Sequence, residues 1–230
     1  MGFWKIGLII CLVQALAACT QPVLQSGPEA EITGDGLIRV DNSSLSKAFV
    51  RPGMNLQNYS AIKLVYVGIN YRNVKSSPNE RFPGSGRNEY PLTETQQKKI
   101  ETLVAEIFHE ELAKSKYFTL TDKSGSQVLL IKGGLVDVVS FVPPQRAARD
   151  TVFLAELGQA TLVLEVEDSM SGESLARATD RRRVDPNLTI MRESNPVTNQ
   201  QEVKRYIRRW AKQLVLGLDE LHQNGEVLQP

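Results

Sequence analysis

Two histidines, two cysteines and three clusters of charge are the chemical material of this 230-residue chain. His109 and His222 could serve as general bases or metal ligands. Neither sits at ligand spacing from a second His or Cys, or beside a nucleophile it could activate, so no metal or cofactor is expected. His109 lies nine residues beyond Ile100, which at helical phase puts it opposite the apolar stripe of its segment. His222 falls on the rim of the last apolar stripe. Glu165, Glu167 and Asp168 form a carboxylate cluster. Neighbouring strand residues point to opposite faces, so Glu167 and Asp168 cannot work side by side, whereas Glu165 and Glu167 share a face about 6.5–7 Å apart. That spacing superficially suits an inverting glycosidase. The preferred reading is a solvated pair facing Arg177 on a returning strand. Phe82-Pro83-Gly84-Ser85-Gly86-Arg87 has the glycines of a phosphate cradle but not the Gly-Lys-Ser/Thr ending of a P-loop, and reads as a polar loop. Arg181-Arg182-Arg183 and Lys204, Arg205, Arg208, Arg209 and Lys212 are the most notable charge feature. A solvated helix face is the usual explanation. The functional alternative is an interaction surface of Arg205, Arg208, Arg209 and Lys212 for anionic lipid headgroups, peptidoglycan or an acidic partner. No catalytic signature emerges, and the expectation is a non-enzymatic chain.

The cysteines point to an address rather than a reaction. Lys5 is a short positive region, Ile6 to Val13 is apolar, and small residues follow at Leu16-Ala17-Ala18-Cys19. The pattern fits a secretory signal over 1–18, too short to span a bilayer. Leu-Ala-Ala-Cys resembles the lipobox of bacterial lipoproteins. That resemblance implies cleavage before Cys19, a diacylglyceryl group on its sulfur and a further acyl chain such as palmitate on the new amino group. Cys11 leaves with the signal, so a lipidated mature chain has no free thiol and no disulfide. Thr20, not Asp, follows Cys19. In an enteric-type host this implies sorting to the periplasmic leaflet of the outer membrane. The whole chain has 27 Lys+Arg against 26 Asp+Glu, and only Lys5 is charged before Cys19, so the mature chain balances. Nucleic acid is therefore not an expected partner.

Several elements are legible around these residues. Thr20 to Gly36 has linker composition, rich in Pro, Gly and Gln, and 19–36 is expected to be a lipidated flexible tether averaging about 20–25 Å. A single domain is expected over 37–225, with a tail at 226–230. Leu37 to Val50 is ambiguous and is left as an irregular arm. Ala61 onward has two fairly apolar faces and reads as a central strand. Residues 72–92 are a long polar loop. Thr93-x-x-Gln96 is a capping box ahead of a helix to about Lys116, with Ile100, Leu103, Val104 and Ile107 as its stripe. Tyr117–Thr121 is a short strand. Val128–Val142 is a long one with an expected bulge at Gly133-Gly134. Thr151–Asp168 and Ser174–Val184 follow as a hairpin. Val203, Tyr206, Ile207, Trp210, Leu214, Leu218 and Leu221 hold one helical face at offsets 0, 3, 4, 7, 11, 15 and 18. The fold class is thus α+β. A two-layer domain is expected, with a mixed, mostly antiparallel sheet of about five strands (β-α-β-β-β-β-α) and both helices on one face.

Two structural residues stand out. Trp210 sits mid-stripe and is expected in the core. Asp180 is in phase with Ala176 and Ala178 on the core face, so its carboxylate needs a partner. A five-residue turn at Ser169–Glu173 sets hairpin partners whose numbers sum to 342. Leu164 then meets Ala178, Glu165 meets Arg177 and Leu162 meets Asp180. A one-residue slip would put Arg177 against Leu164.

Four stretches carry a family resemblance. They are Pro52-Gly53-Met54-x-Leu56-x-x-Tyr59; Val128-Leu129-Leu130-Ile131 leading into Val136-Asp137-Val138; Leu164-Glu165-Val166-Glu167-Asp168-Ser169-x-x-Gly172-Glu173 with Ala178-x-Asp180-Arg181-Arg182; and Trp210-Ala211-x-x-Leu214. Together they resemble a family of bacterial lipoproteins catalogued as domain of unknown function 3313, over about 52–221. The resemblance implies a lipid-anchored single domain and brings no activity with it. The functional expectation is an envelope accessory or interaction protein, held to the membrane by Cys19 and binding another envelope protein or peptidoglycan. The alternative is a small-ligand module with a pocket between sheet and helices; a hydrolase comes third.

Overall fold

A computed structural model of the chain describes residues 21–74, 88–144, 153–185, 192–225 and 227. The strands are β1 (Val23–Leu24), β2 (Ile38–Asp41), β3 (Lys47–Val50), β4 (Ala61–Tyr71), β5 (Thr119–Leu120), β6 (Val128–Ser140), β7 (Phe153–Leu154), β8 (Gly158–Asp168), β9 (Ser174–Val184) and β10 (Arg192–Glu193). The helices are α1 (Glu94–Leu112) and α2 (Pro196–Asn224). Eight strands form one sheet in the order β1-β2-β3-β9-β8-β6-β4-β5, and β10 pairs with β7 apart from it. β4 runs parallel to β6, as a strand–helix–strand crossover requires, and β6, β8 and β9 form an antiparallel meander. The class is α+β as expected, but the main sheet has eight strands rather than about five.

The additional strands come from the segment read as tether and arm. β3 pairs with residues 176–179 of β9, β2 with β3, and β1 with β2. Leu24 and Leu37 are buried, and Gln25 Nε2 donates to Asp41 Oδ1 at 2.8 Å. Residues 21–36 are therefore packed on the sheet edge instead of forming a flexible tether, and order begins before Leu37. Two-residue and four-residue strands are too short for periodicity to reveal, and their pairing is supplied by an edge far along the chain. The 226–230 tail likewise contributes buried Val227.

The alternation of β4, β6, β8 and β9 puts Ile62, Leu129, Ile131, Leu162, Leu164 and Val166 on one face, where they join α1 and α2 in a single core. Thr93 and Gln96 close the reciprocal capping box of α1. α2 begins earlier than its apolar stripe, with Pro196 in its first turn and Asn195 Oδ1 accepting from the Thr198 N–H at 2.9 Å. The cap is Asn195 rather than Thr198 or Asn199. Gly225 ends the helix at φ +81°, a conformation that favours glycine.

Candidate functional site

A cavity of about 300 Å³ lies between α1 and the sheet. Its floor is Ile62, Leu64 and Tyr66 of β4, Gly133 of β6 and Leu162 of β8; its roof is Val104, Ala105, Phe108 and His109 of α1; and Leu120 to Asp122 close one end. The void has a local cause. Gly133 sits in register between Tyr66 and Leu164, and a Cβ there would already meet Leu164 Cδ2 at 3.3 Å. Gly133 leaves the sheet without a side chain at this position of the floor. The bulge expected at the glycine pair is displaced onto the partner strand: Tyr66 pairs with Gly133 and Gly68 with Gly134, leaving Val67 as the extra residue on β4.

The cavity is apolar inside and polar at its rim. Burial and the Glu101 carboxylate push the Tyr66 phenol up to about 12, so it stays neutral. The same two causes raise Tyr71, whose hydroxyl donates to the Gln97 carbonyl at 3.0 Å and ties the end of β4 to the start of α1. His109 is exposed on the rim instead of lying wholly on the solvent side of α1. Thr121 Oγ1 accepts from the Lys123 N–H at 3.2 Å, and no hydrogen bond among the described residues joins it to His109. Such a site can bind and orient a ligand. Periodicity did not flag this site. The available signal was the glycine pair in a core strand, which could have been read as missing volume.

The other singled-out residues lie elsewhere. Asp180 is 4% exposed. Its Oδ1 accepts from Ser46 N–H at 3.1 Å and Ser46 Oγ at 2.5 Å, and its Oδ2 accepts from Arg182 Nε at 2.5 Å and Trp210 Nε1 at 2.7 Å. Burial alone would raise its pKa, but the hydrogen bonds from Ser46, Trp210 and Arg182 hold it below the ordinary carboxylate range. Every oxygen is answered from within the fold. Trp210 is 3% exposed. β8 and β9 pair with Leu164 opposite Ala178, Glu165 opposite Arg177 and Leu162 opposite Asp180; the register slips by one only at Glu167–Ser174, next to the turn.

The carboxylate cluster is dispersed. Arg177 Nε contacts Glu165 at 2.9 Å and its Nη2 contacts Asp35 at 2.8 Å, while Lys132 Nζ contacts Glu167 at 2.5 Å. Asp168 accepts from the Tyr59 hydroxyl and the Met170 and Ser171 N–H groups, fastening the turn. The backbone bond from Ser171 is the main cause of its lowered pKa. Among the described residues no three His, Cys, Asp or Glu side chains could hold a metal. His222 stacks on Tyr117 with centroids 4.3 Å apart.

The basic face of α2 is largely answered internally. Arg208 Nε reaches Glu111 of α1 at 3.0 Å and Arg205 reaches Glu202 at 2.6 Å. Arg209 lies over the Tyr206 ring at 5.6 Å. Burial works to raise the pKa of Glu111, but Lys114, then Arg208 and finally the Lys212 charge together hold it below the ordinary carboxylate range. A second polar group was not foreseen. At a bulge in β6, Asp137 takes φ +57° and accepts both Nε and Nη2 of Arg72, at 2.7 and 2.5 Å, with Glu89 also on Arg72. It anchors the chain where it leaves β4. The glycine-rich segment 82–87, Cys19 and the segment 1–18 expected to be a signal lie outside the described residues.

The sequence profile of a family described as a protein of unknown function, DUF3313, matches residues 29–214. The chain belongs to this family. No curated protein sequence matches it. Solved structures similar to this DUF3313 domain include the XCC0632 protein of Xanthomonas campestris, with TM-score 0.39, 10% identity and coverage of 76% of this chain and 91% of that one. A Caulobacter crescentus protein described as a candidate lipoprotein matches with TM-score 0.36 and 13% identity over 74% of this chain and 93% of that one. The PelC dodecamer of Paraburkholderia phytofirmans matches with TM-score 0.34 and 9% identity over 68% and 89%. These likenesses are distant and assign no activity to this chain. Among its described residues no helix is long and apolar enough to cross a membrane.

Proposed function

We propose that this DUF3313 protein is a lipid-anchored, periplasm-facing accessory protein of the bacterial cell envelope that acts by binding another envelope component. The observation that carries the reading is the placement of Leu16-Ala17-Ala18-Cys19 immediately ahead of the domain. Val23, the first residue of β1, follows Cys19 by only four positions, at most about 14 Å of extended chain. An acylated Cys19 would hold the β1–β2 edge next to the headgroups, leaving no long spacer. Two or three acyl chains would make that attachment effectively permanent. Thr20 after the cysteine favours the periplasmic leaflet of the outer membrane. A second reading, a small-ligand module, is favoured by the cavity under α1, whose volume is at the lower end for ligand sites.

The test is metabolic labelling of cells with an alkynyl palmitate probe. Wild-type protein should be labelled and fractionate with membranes, and Cys19→Ala should be unlabelled and released. Equal labelling of both proteins would overturn the anchor.

A further inference from the structure

The geometry points to a strand-addition site: the outer edge of β4 and the cavity beneath α1 together receive an extended peptide segment of a partner protein, with an apolar side chain entering the cavity and a Lys or Arg flanking it. This deepens the interaction reading above by stating the chemistry of the partner.

The argument starts from hydrogen bonds. β5 pairs with only Ala61 and Ile62 of β4, so from Lys63 onward β4 is a sheet edge among the described residues. The Ile62 carbonyl accepts from the Thr121 N–H at 2.9 Å, which fixes the phase of the strand. Leu64 and Tyr66 share that phase and turn their N–H and C=O groups to the same outer side. No hydrogen bond from the described residues reaches those four groups. An unpaired edge of this kind is a template for another strand. An acyl chain or a rigid small molecule would fill the cavity and leave the backbone groups unanswered; an extended peptide answers both.

The side chains add selectivity. Leu64 and Tyr66 direct their side chains to the helix-covered face, so the cavity opens beside the backbone groups that a peptide would pair with. A strand added there places alternate side chains toward α1, the arrangement by which strand-adding sites gain specificity. The rim is acidic. Glu101 lies close enough to act on both Tyr66 and Tyr71, and Asp122 lines the cavity at its other end. Neither carboxylate makes an ion pair among the described residues, unlike Glu110, Glu111, Glu165 and Glu167. That charge selects a cationic residue beside the apolar one.

The test displays random dodecapeptides against the lipidated full-length mature protein in nanodiscs, with empty nanodiscs as the counter-selection. The strongest peptide is then synthesised with a fluorophore for anisotropy titration. Enriched peptides should alternate apolar residues and carry Lys or Arg. Ala105→Trp, at an exposed position of the roof, should weaken binding at least tenfold, and Glu101→Lys severalfold. N-methylation of alternate peptide amides should abolish binding in one phase and spare it in the other. Circular dichroism melts show whether each variant is folded, and Glu101→Lys, on the surface of α1, keeps the test decisive if Ala105→Trp is not. Lack of enrichment over empty nanodiscs overturns the proposal, as does an enriched peptide indifferent to both variants. Binding of cis-parinaric acid in the cavity without peptide enrichment assigns it to acyl chains and overturns strand addition. Fatty-acid labelling of Cys19 is independent of all these outcomes, so failure here leaves the anchor reading to its own test.

Discussion

Removing the Asp180 carboxylate should be among the most damaging single changes on the sheet. Four donors converge on it, and two of them lose their acceptor without it: the Trp210 indole N–H, in a residue 3% exposed, and the Nε–H of Arg182, whose side chain is 17% exposed and whose Nη2 still donates to Gln213. A buried donor left without an acceptor costs about 1–3 kcal/mol, and breaking a buried ion pair from one side costs about 3–5 kcal/mol. The terms overlap, so Asp180→Ala should cost about 3–5 kcal/mol, a large fraction of the stability of an ordinary domain. Glu165→Ala removes a carboxylate from a solvated cross-strand pair and should cost about 0.2–1 kcal/mol. Trp210→Phe keeps the ring and deletes one donor, and should fall between them at about 1–3 kcal/mol. The pH dependence has a definite sign. The folded carboxyl is held below its unfolded value, so its contribution is complete above about pH 4 and lost as pH falls through the folded pKa. Asp180→Asn should therefore differ from wild type most near neutrality and least in strong acid. Urea melts of the wild type and the four variants, read by far-UV circular dichroism from pH 7 to pH 3, measure all of this. If Asp180→Ala costs no more than Glu165→Ala, the network has been misjudged.

Other tests follow from the sheet edge and the helix pair. Leu24→Ala should cost about 2–4 kcal/mol in the same melts, because Leu24 is buried; a free tether would show no change. Arg208→Ala leaves buried Glu111 with Lys114 as its ion-pair partner and Lys212 farther off and, allowing for solvent around the arginine, should cost about 1–2 kcal/mol. Arg209→Ala, which loses only a stacking contact on Tyr206, should cost less than about 1 kcal/mol; equal effects would show that the α1–α2 ion pair contributes nothing special. Reversing Arg205, Arg208 and Arg209 together should lower the melting temperature, so any loss of salt-dependent vesicle binding must be read against that melt.

The sequence alone established what depends on local chemistry and on regular periods. The apolar run Ile6–Val13 and the Leu-Ala-Ala-Cys motif are read without folding. The capping box at Thr93 and Gln96 uses atoms three residues apart. The stripe of α2 and the alternation of β8 and β9 repeat long enough to declare both element and face. The hairpin register followed because turn length and opposite charges left one arrangement of Glu165 and Arg177 that kept Leu164 in the core. What tertiary structure decided is what needs distant partners. Ser46 meets Asp180 across 134 positions, so only the docking of β3 on β9 could show which groups neutralise that carboxylate. β1 and β2 are too short to be strands by themselves and exist because a neighbour supplies their hydrogen bonds. Arg208 looked like free positive charge until α1 brought Glu111 beneath it. The cavity had the faintest trace in the sequence, since a void is made by what two segments both lack. Gly133 is ordinary by itself, and only the parallel pairing of β4 with β6 beside α1 brings it and Ala105 into the lining of one cavity.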